Sequence, residues 1–579
     1  MSADDTVPEP AETWLSEADA RRLDDLAATW AGNLSRGLPL PRIAEAYLDW
    51  GLNLTLSPGR QLELAERFVQ SGARLAKAFF GTVPETDDAR FAGDAWQRKP
   101  FAWFALAARE REAFWDLACA PLPGMNRHNA ALMRFYTQQI LEFSSPANVP
   151  LLNPQVLQTT RQEHGRNLLR GAQQALTDGL SALSKQPQEH AHYRVGENLA
   201  VTPGKVIYRN ALMELIQYTP TTDTVYAEPV LIVPAWIMKY YILDLSTSNS
   251  LVHWLVAQGH TVFMISWKNP GSEDRDLSME DYRTLGVLEA LKAVSAIVPR
   301  RKIHVAGYCV GGTLLAITLA AMARAGGERL KTATLFAAQT DFEDAGELKL
   351  FIDEMALYWL DRQMAHKGYL DSAQMGGAFS LLRSRSLIWS RLIHDYWLGE
   401  SDAGFDIMAW NADGTRMPRR MHIDYLRDLY LENRFAQGKY VIGGHAVSMG
   451  DVNLPMFVVG TLTDHVAPWK SVYKIRNLKR LGETTFALTN GGHNAGIVSE
   501  PGRPRRYYQL GSWNADAPYE SPEDWAAHAP KHEGSWWPAW QAWLAEHSGK
   551  ERVAPPATGT ADQAYKVLGD APGTYVLQR

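Results

Sequence analysis

One short segment, Gly307-Tyr-Cys309-Val-Gly-Gly312, has the spacing of a turn that presents a nucleophile between glycines. It follows a predicted strand and precedes the apolar segment 313–323, which predicts a helix. The glycines let strand and helix pack closely at a strained turn that exposes the nucleophile. The helix N-terminus favours a thiolate, because its free N–H groups stabilise negative charge. We therefore predict that Cys309 is a nucleophile; the alternative is an ordinary buried cysteine in a glycine-rich turn.

Such a nucleophile needs an acid and a base that follow it in the chain. Asp464 and His493 each come just after a predicted strand. Because the carboxyl ends of parallel strands meet at one edge of a sheet, sites form there. We predict that His493 takes the proton from Cys309 and that Asp464 holds the imidazole in the correct tautomer. His465 is the rival base, and we interpret it as a supporting residue beside Asp464.

The oxyanion of an acyl-transfer reaction needs backbone donors. The N–H of Val310, directly after the nucleophile, is the first predicted donor. The second is expected from the loop 234–239, which follows a predicted strand. We assign it to Ile237, with the neighbours of Ile237 as alternatives.

The choice of cysteine rather than serine bears on the reaction. An acyl-cysteine is a thioester, so acyl exchange from coenzyme A onto Cys309 would be nearly isoenergetic. A following attack by an alcohol gives an oxoester and is downhill. These energetics favour an acyltransferase over a hydrolase. The sequence contains no metal-ligand cluster, phosphate-binding loop or nicotinamide fingerprint, so we predict no metal site and no cofactor beyond the coenzyme A of the substrate.

The elements that would position these residues begin near residue 197, where short apolar segments alternate with amphipathic ones. This alternation predicts an α/β fold with a parallel sheet covered on both faces. The predicted strands are Lys205–Asn210, Leu212–Tyr218, Pro229–Val233, His260–Trp267, Lys302–Ala306, Ala333–Ala338, Pro455–Gly460 and Thr484–Leu488.

The same patterns divide the chain into regions. For residues 1–190 the patterns predict a helical N-terminal domain, whose first 14 residues we expect to be disordered. For residues 191–579 they predict the catalytic domain. Within it, 341–440 lacks the strand–helix alternation and is predicted to be an inserted lid over the active site. The segment 551–579 is rich in Pro, Gly and Ala, which predicts a tail that is loosely ordered until its last residues.

The composition is that of a globular protein, with 46% apolar and 21% charged residues among 579 and a net charge of −6. These values exclude wholesale disorder and give no sign of a nucleic-acid surface. The only cysteines, Cys119 and Cys309, exclude a disulfide framework. We find no signal peptide and interpret the uncharged segment Val305–Ala323 as a buried strand and helix, not a transmembrane segment. We expect a cytoplasmic protein.

Several further segments resemble those of the polyhydroxyalkanoate synthases, specifically the long single-chain type called class I. Besides the segment around Cys309, the similar blocks are 239–245, 258–263, 266–270, 410–413, 464–469, 492–493, 534–538 and 571–576. The resemblance implies an α/β-hydrolase fold with an inserted lid and a polymerase of (R)-3-hydroxyacyl groups carried on coenzyme A. It implies that Cys309 holds the growing polyester, that His493 deprotonates Cys309 and that Asp464 assists His493.

The resemblance also implies partners. The family's helical N-terminal region is implicated in dimerisation and granule association, so we expect a homodimer at the surface of polyester granules. The family's short members need a partner subunit, whereas this chain has its own N-terminal region, so we expect no obligatory partner subunit. Two other functions stay open: a polyester depolymerase or thioesterase of the same fold, and a non-catalytic protein that coats granules.

Overall fold

A computed structural model describes residues 15–34, 40–184, 193–382, 384–400, 406–561 and 563–579. The first 14 residues, for which the sequence predicts disorder, lie outside this part of the chain. The strands of the described residues are β1 (Gly204–Arg209), β2 (Met213–Tyr218), β3 (Val225–Tyr226), β4 (Val230–Val233), β5 (Val262–Trp267), β6 (Ile303–Tyr308), β7 (Leu330–Phe336), β8 (Tyr369–Leu370), β9 (Met417–Pro418), β10 (Tyr440–Ile442), β11 (His445–Val447), β12 (Met456–Thr461), β13 (Thr484–Thr489), β14 (Tyr507–Trp513), β15 (Lys531–Glu533), β16 (Arg552–Val553) and β17 (Gly569–Asp570).

Eleven of these strands form one sheet in the order β15-β14-β13-β12-β7-β6-β4-β5-β2-β1-β17. The six strands from β13 to β5 are mutually parallel and buried except at Lys331 of β7, as their largely apolar sequences predict. The outer strands are antiparallel, so the sheet is mixed and not parallel throughout. The reason at one edge is the three-residue link between β1 and β2, which is too short for a parallel crossover.

Helices cover the sheet and build the N-terminal region. The α-helices of the described residues are α1 (Glu17–Leu34), α2 (Leu40–Thr55), α3 (Pro58–Phe80), α4 (Phe101–Ala118), α5 (Arg127–Phe143), α6 (Pro154–Gln162), α7 (Arg166–Ser184), α8 (Leu251–Ala257), α9 (Met279–Asp281), α10 (Glu289–Ile297), α11 (Val310–Arg324), α12 (Glu354–Ala365), α13 (Ser372–Leu382), α14 (Asp406–Ala412), α15 (Arg419–Tyr425), α16 (Trp469–Tyr473), α17 (Ile475–Leu478), α18 (Pro522–His528) and α19 (Trp537–Glu546). The apolar segment Val305–Ala323 is divided between β6 and α11, and no helix in the described part of the chain is long and apolar enough to cross a membrane.

The N-terminal helices are joined to the segment 341–440. The side chains of Leu348, Phe351 and Leu382 from this segment pack into the apolar cluster formed by α2 and α5. The buried guanidinium of Arg42 pairs with Asp353, and Arg385 pairs with Glu142. These contacts tie the segment inserted between β7 and β12 to the helical region on one side and leave its other side to cover the sheet.

The last residues of the tail make specific contacts with the main sheet. Residues 569–570 add β17 to the edge of the main sheet beside β1. The fully buried carboxylate of Glu214 accepts hydrogen bonds from the backbone N–H groups of Thr574 and Tyr575, both at 2.9 Å, and from Thr574 Oγ1 at 2.8 Å. A buried carboxylate requires such donors, so the tail supplies hydrogen bonds that β2 itself lacks.

Candidate active site

Cys309 lies at a sharp turn between β6 and α11. Its backbone has φ 53° and ψ −129°, a conformation that L-residues rarely adopt and that is found at functional turns. A Cβ atom on Gly307 would lie 2.5 Å from Gly312 Cα, and one on Gly311 would lie 2.3 Å from the carbonyl oxygen of Pro234. Only glycine fits at these two positions, which explains the glycine spacing around the cysteine.

The Asp464 carboxylate lies against the His493 ring. Nδ1 of His493 is 2.8 Å from Oδ2 of Asp464, and both residues are buried. Oδ1 of Asp464 accepts the backbone N–H groups of Val466 at 2.8 Å and Ala467 at 2.9 Å. Thr461, the last residue of β12, donates its hydroxyl to Oδ2 at 2.6 Å. Four donors therefore fix the carboxylate, and the carboxylate fixes the tautomer with the proton on Nδ1.

The electrostatics of this pair favour a charged imidazole. Burial alone would lower the pKa of His493, but the negative charges of Asp464 and of the Cys309 sulfur raise that pKa well above its usual range. Burial raises the pKa of Asp464, but the charge of His493 and the surrounding donors outweigh burial and lower it. The arrangement therefore stabilises an imidazolium close to a thiolate.

Nε2 of His493 is buried and has no hydrogen bond partner among the described residues, Cys309 included. It lies on the side of the ring opposite Asp464, which leaves it available for proton transfer. The ring is packed against Tyr308, the residue before the cysteine, with ring centroids 5.5 Å apart. Tyr308 in turn donates its hydroxyl to Oδ1 of Asn494 at 2.6 Å. The structure thus brings Cys309, His493 and Asp464 into one buried group.

The two residues expected to supply oxyanion donors line the same cavity as Cys309. Val310 is the first residue of α11, where backbone N–H groups have no partner within the helix. Ile237 and Val310 both line the cavity that Cys309 opens into. The loop of Ile237 is held by Thr415, whose N–H donates to Ile237 O at 3.3 Å and whose hydroxyl donates to Trp236 O at 2.5 Å. The loop is therefore fixed by the segment 341–440.

The tail also holds this loop. Lys239 is 3% exposed and donates its ammonium to the carbonyl oxygens of Gln578 at 2.7 Å and Tyr575 at 3.3 Å. Its own carbonyl oxygen accepts the indole N–H of Trp410 at 2.7 Å. Burial lowers the pKa of Lys239 to about 8. Two segments distant in sequence thus position the loop that follows β4.

A cavity of about 600 Å³ extends from Cys309. Its walls are mostly apolar and come largely from the segment 341–440, including Phe351, Trp359 and Leu426. Burial raises the pKa of both Tyr425 and Tyr430, and the charge of Cys309 contributes in each case. A cavity of this size and character has room for a ligand with an apolar portion.

His465, the rival base, lies next to Asp464 in the loop whose N–H groups at 466 and 467 bind the carboxylate. The imidazole that is hydrogen-bonded to Asp464 at 2.8 Å is that of His493. Sequence reasoning missed Thr461 and Thr415, which hold the acid and the oxyanion loop. The position of Thr461 at the end of a predicted strand, three residues before Asp464, was the available signal.

Within the described residues, no group of three or more His, Cys, Asp or Glu could hold a metal ion.

Two family models match the chain. The model described as the N-terminus of poly-beta-hydroxybutyrate polymerase matches residues 87–255, and the model of the alpha/beta hydrolase fold matches residues 228–500. The second match agrees with the sheet and the turn at Cys309, so the chain has the α/β-hydrolase fold together with a helical N-terminal region.

Curated relatives cover nearly the whole chain. The poly(3-hydroxyalkanoate) polymerase of Methylorubrum extorquens is 40% identical over 93% of this chain and 89% of its own length. The poly(3-hydroxyalkanoate) polymerase subunit PhaC of Rhizobium meliloti is 37% identical over 98% of this chain and 92% of its own. The protein of the same name from Cupriavidus necator is 34% identical over 91% and 90%. On this similarity, carried over almost the full length of each relative, the chain belongs to the poly(3-hydroxyalkanoate) polymerase family of acyltransferases.

Proposed function

We propose that this family member polymerises (R)-3-hydroxyacyl-CoA into polyester through an acyl-cysteine on Cys309, with release of coenzyme A. The observation that carries the proposal is the buried His493–Asp464 pair, joined at 2.8 Å, beside a cysteine that opens into an apolar cavity. A nucleophile, a base held by an acid and a large acyl-binding space are what a covalent acyl transfer requires.

In the first step the Cys309 thiolate attacks the thioester carbonyl. The backbone N–H groups of Val310 and Ile237 would stabilise the oxyanion. The carbonyl carbon forms a bond to Sγ of Cys309, its bond to the coenzyme A sulfur breaks, and the departing thiolate takes the proton from Nε2 of His493. The raised pKa of His493 suits this step, because the ring is charged before the attack.

In the second step the 3-hydroxyl of another (R)-3-hydroxyacyl-CoA attacks the acyl-cysteine. Nε2 of His493, now neutral, takes the hydroxyl proton while Asp464 stabilises the charge that forms on the ring. The new C–O ester bond replaces the C–S bond and restores the Cys309 thiolate. The lengthened acyl-CoA then acylates Cys309 again and releases coenzyme A. The apolar walls of the cavity exclude water, which would otherwise hydrolyse the acyl-cysteine.

A single assay tests the proposal. Purified protein is incubated with (R)-3-hydroxybutyryl-CoA while free coenzyme A, turbidity and soluble acid are followed. We expect coenzyme A release with turbidity. Release with soluble acid alone would favour a depolymerase or thioesterase, and a protein that releases nothing would fit a coat protein of granules.

The cysteines provide a matched control. Cys119 is buried in the apolar cluster of the N-terminal helices and is not among the residues that line the cavity beside Cys309. We expect Cys309→Ala to abolish coenzyme A release and the acyl adduct seen by intact-protein mass spectrometry. Cys119→Ala should retain both. Polymer formation by Cys309→Ala would contradict the acyl-cysteine mechanism.

Dimerisation and granule association are also part of the proposal. The N-terminal helices expose large apolar side chains, among them Trp30, Leu52, Phe68 and Phe80, at 67–88% of their surface. Apolar exposure of this kind is typical of a surface that binds another protein or an apolar phase. Sedimentation of the full chain with and without polyester granules would test both associations.

A further inference from the structure

The cavity beside Cys309 contains two buried polar atoms that its apolar walls leave without partners. Oε1 of Gln363 and Nδ1 of His422 are both buried and make no hydrogen bond within the described part of the chain. Both residues line the cavity, and they are 8% and 7% exposed. An unpaired buried polar atom costs about 1 to 3 kcal/mol, so two of them in one cavity indicate a ligand.

Three other polar side chains of the cavity have hydrogen-bond partners within the protein. The hydroxyl of Thr313 donates to Gln339 O at 2.8 Å, and the amide of Gln339 donates to Ser471 Oγ at 2.9 Å. Oε1 of Gln374 accepts the N–H of Asp371 at 3.3 Å. The lack of a partner is therefore a property of Gln363 and His422 and not of the cavity wall in general.

The two residues line the same cavity as Cys309 and lie on two helices that pack against each other. His422 is on α15, one helical turn before Tyr425, and residues three apart share a face of a helix. Tyr425 is near enough to Cys309 for the charge of the sulfur to raise its pKa. Gln363 is on α12, which packs against α15. An acyl chain bound to Cys309 that extends into the cavity would pass this pair.

The chemistry of the pair selects a hydroxyl group. Burial lowers the pKa of His422 to about 4, so its ring is neutral near pH 7 and offers one N–H donor and one acceptor. Oε1 of Gln363 can only accept. In the tautomer that carries its proton on Nδ1, the unpaired atom of His422 donates, so a group that satisfies both residues must accept from His422 and donate to Gln363. An alcohol does so, whereas an ester carbonyl oxygen can only accept and would leave Oε1 unpaired.

We propose that Gln363 and His422 form a subsite that binds the terminal hydroxyl of the acyl chain held at Cys309. This inference rests on the proposed function and extends it to substrate selection. The apolar walls hold the carbon chain, and the pair distinguishes chains that end in a secondary alcohol from chains without one. A site built to bind a hydroxyl rejects an analogue that lacks it, because its own polar groups are then left unpaired.

The test compares thioesters that differ only in the terminal hydroxyl. The probes are the coenzyme A thioesters of (R)-3-hydroxybutyrate and of its linear dimer and trimer, each with a matched compound in which hydrogen replaces the terminal hydroxyl. Acylation of Cys309 is followed by intact-protein mass spectrometry in single turnovers with enzyme in excess. Because the coenzyme A portion is common to each pair, contacts to it cancel in the ratio of the two rates.

For the wild type we expect the hydroxylated compound to acylate Cys309 at least about tenfold faster at one or more chain lengths. Gln363→Met and His422→Phe should each lower that ratio below about threefold. The control Gln374→Met, which changes an amide whose oxygen already has a protein partner, should keep the wild-type ratio. Because both variants replace an unpaired polar group by an apolar one, their melting temperatures should equal or exceed that of the wild type.

The subsite is refuted if the wild type shows no preference, or if both variants keep the wild-type ratio at every chain length. A large fall in melting temperature with an unchanged ratio would show a structural role instead. Binding of the same pairs to Cys309→Ala, measured by calorimetry, separates this inference from the proposed function. If the wild type forms no adduct with any thioester, the acyl-cysteine mechanism fails, while the ratio of affinities still decides the subsite.

Discussion

Asp464→Asn tests the arrangement around His493 most directly. The amide oxygen of Asn can still accept the N–H groups of Val466 and Ala467, so the loop should keep its shape. The amide nitrogen would then face Nδ1 of His493. Nδ1 would accept a hydrogen bond from the amide instead of donating one. The proton moves to Nε2, and the ring can no longer take a proton from Cys309 or from the attacking hydroxyl.

The expected loss follows from two contributions. A hydrogen bond to a charged acceptor contributes about 1.5 to 3 kcal/mol, and its loss alone slows turnover about 10- to 100-fold. The wrong tautomer adds to this, and the corresponding change in a serine triad lowers kcat about 10⁴-fold. We therefore expect steady-state coenzyme A release from (R)-3-hydroxybutyryl-CoA to fall by at least about 10³-fold. Circular dichroism and a melting curve would check that the variant is folded.

Thr461→Val is the matched control. It removes one neutral donor from the same carboxylate and leaves the charge and the bond to His493 in place. The loss of a neutral hydrogen bond costs about 0.5 to 1.5 kcal/mol, so turnover should fall by no more than about tenfold. If folded Asp464→Asn also releases coenzyme A within tenfold of the wild-type rate, Asp464 does not orient the base and the proposed mechanism is wrong.

Two further predictions concern the surroundings of the site. Gly311→Ala would place a Cβ 2.3 Å from Pro234 O and should lower the free energy of unfolding by about 1 to 3 kcal/mol in urea titrations; an unchanged midpoint would show that the contact relaxes freely. Lys239 has a folded-state pKa of about 8 against 10.5 for the unfolded chain, so the unfolded state binds more protons between these values. The stability of the wild type relative to Lys239→Met should therefore rise with pH from 8 to 10.5, by at most about 3 kcal/mol, whereas a flat difference would contradict the burial of a charged ammonium.

The parallel core of the sheet could be predicted from the sequence, because short continuous apolar segments are compatible with few structures other than buried strands. Each predicted strand overlaps a strand of the main sheet, as His260–Trp267 overlaps β5. The glycine spacing around Cys309 and the positions of Asp464 and His493 after strands predicted that the three would meet. These signals are local in the sequence. The parallel sheet brings the three residues close together, because the carboxyl ends of its strands lie at one edge.

Other features depend on contacts between distant segments and could not be predicted. The order of the tail depends on Glu214, which is 360 residues before Thr574 in the sequence. Composition alone cannot show that a buried carboxylate will accept hydrogen bonds from the backbone of a segment rich in Pro and Gly. His422 had no motif around it, and its significance comes from Gln363 and from the cavity.

The tryptophans of α19 fill the core, and Trp536 and Trp537 donate to the carbonyl oxygens of residues 496 and 497, just after His493.

The hydrogen bonds between the tail and the loop of Lys239 have a consequence for biosynthesis. At 5 to 20 residues per second, the ribosome delivers Tyr575 and Gln578 roughly 20 to 70 s after Glu214. During that interval the carboxylate of Glu214 has its partner Arg209 but lacks the tail donors, and the ammonium of Lys239 lacks the tail carbonyl oxygens that bind it. The loop that follows β4 is therefore translated well before the segment that later holds it.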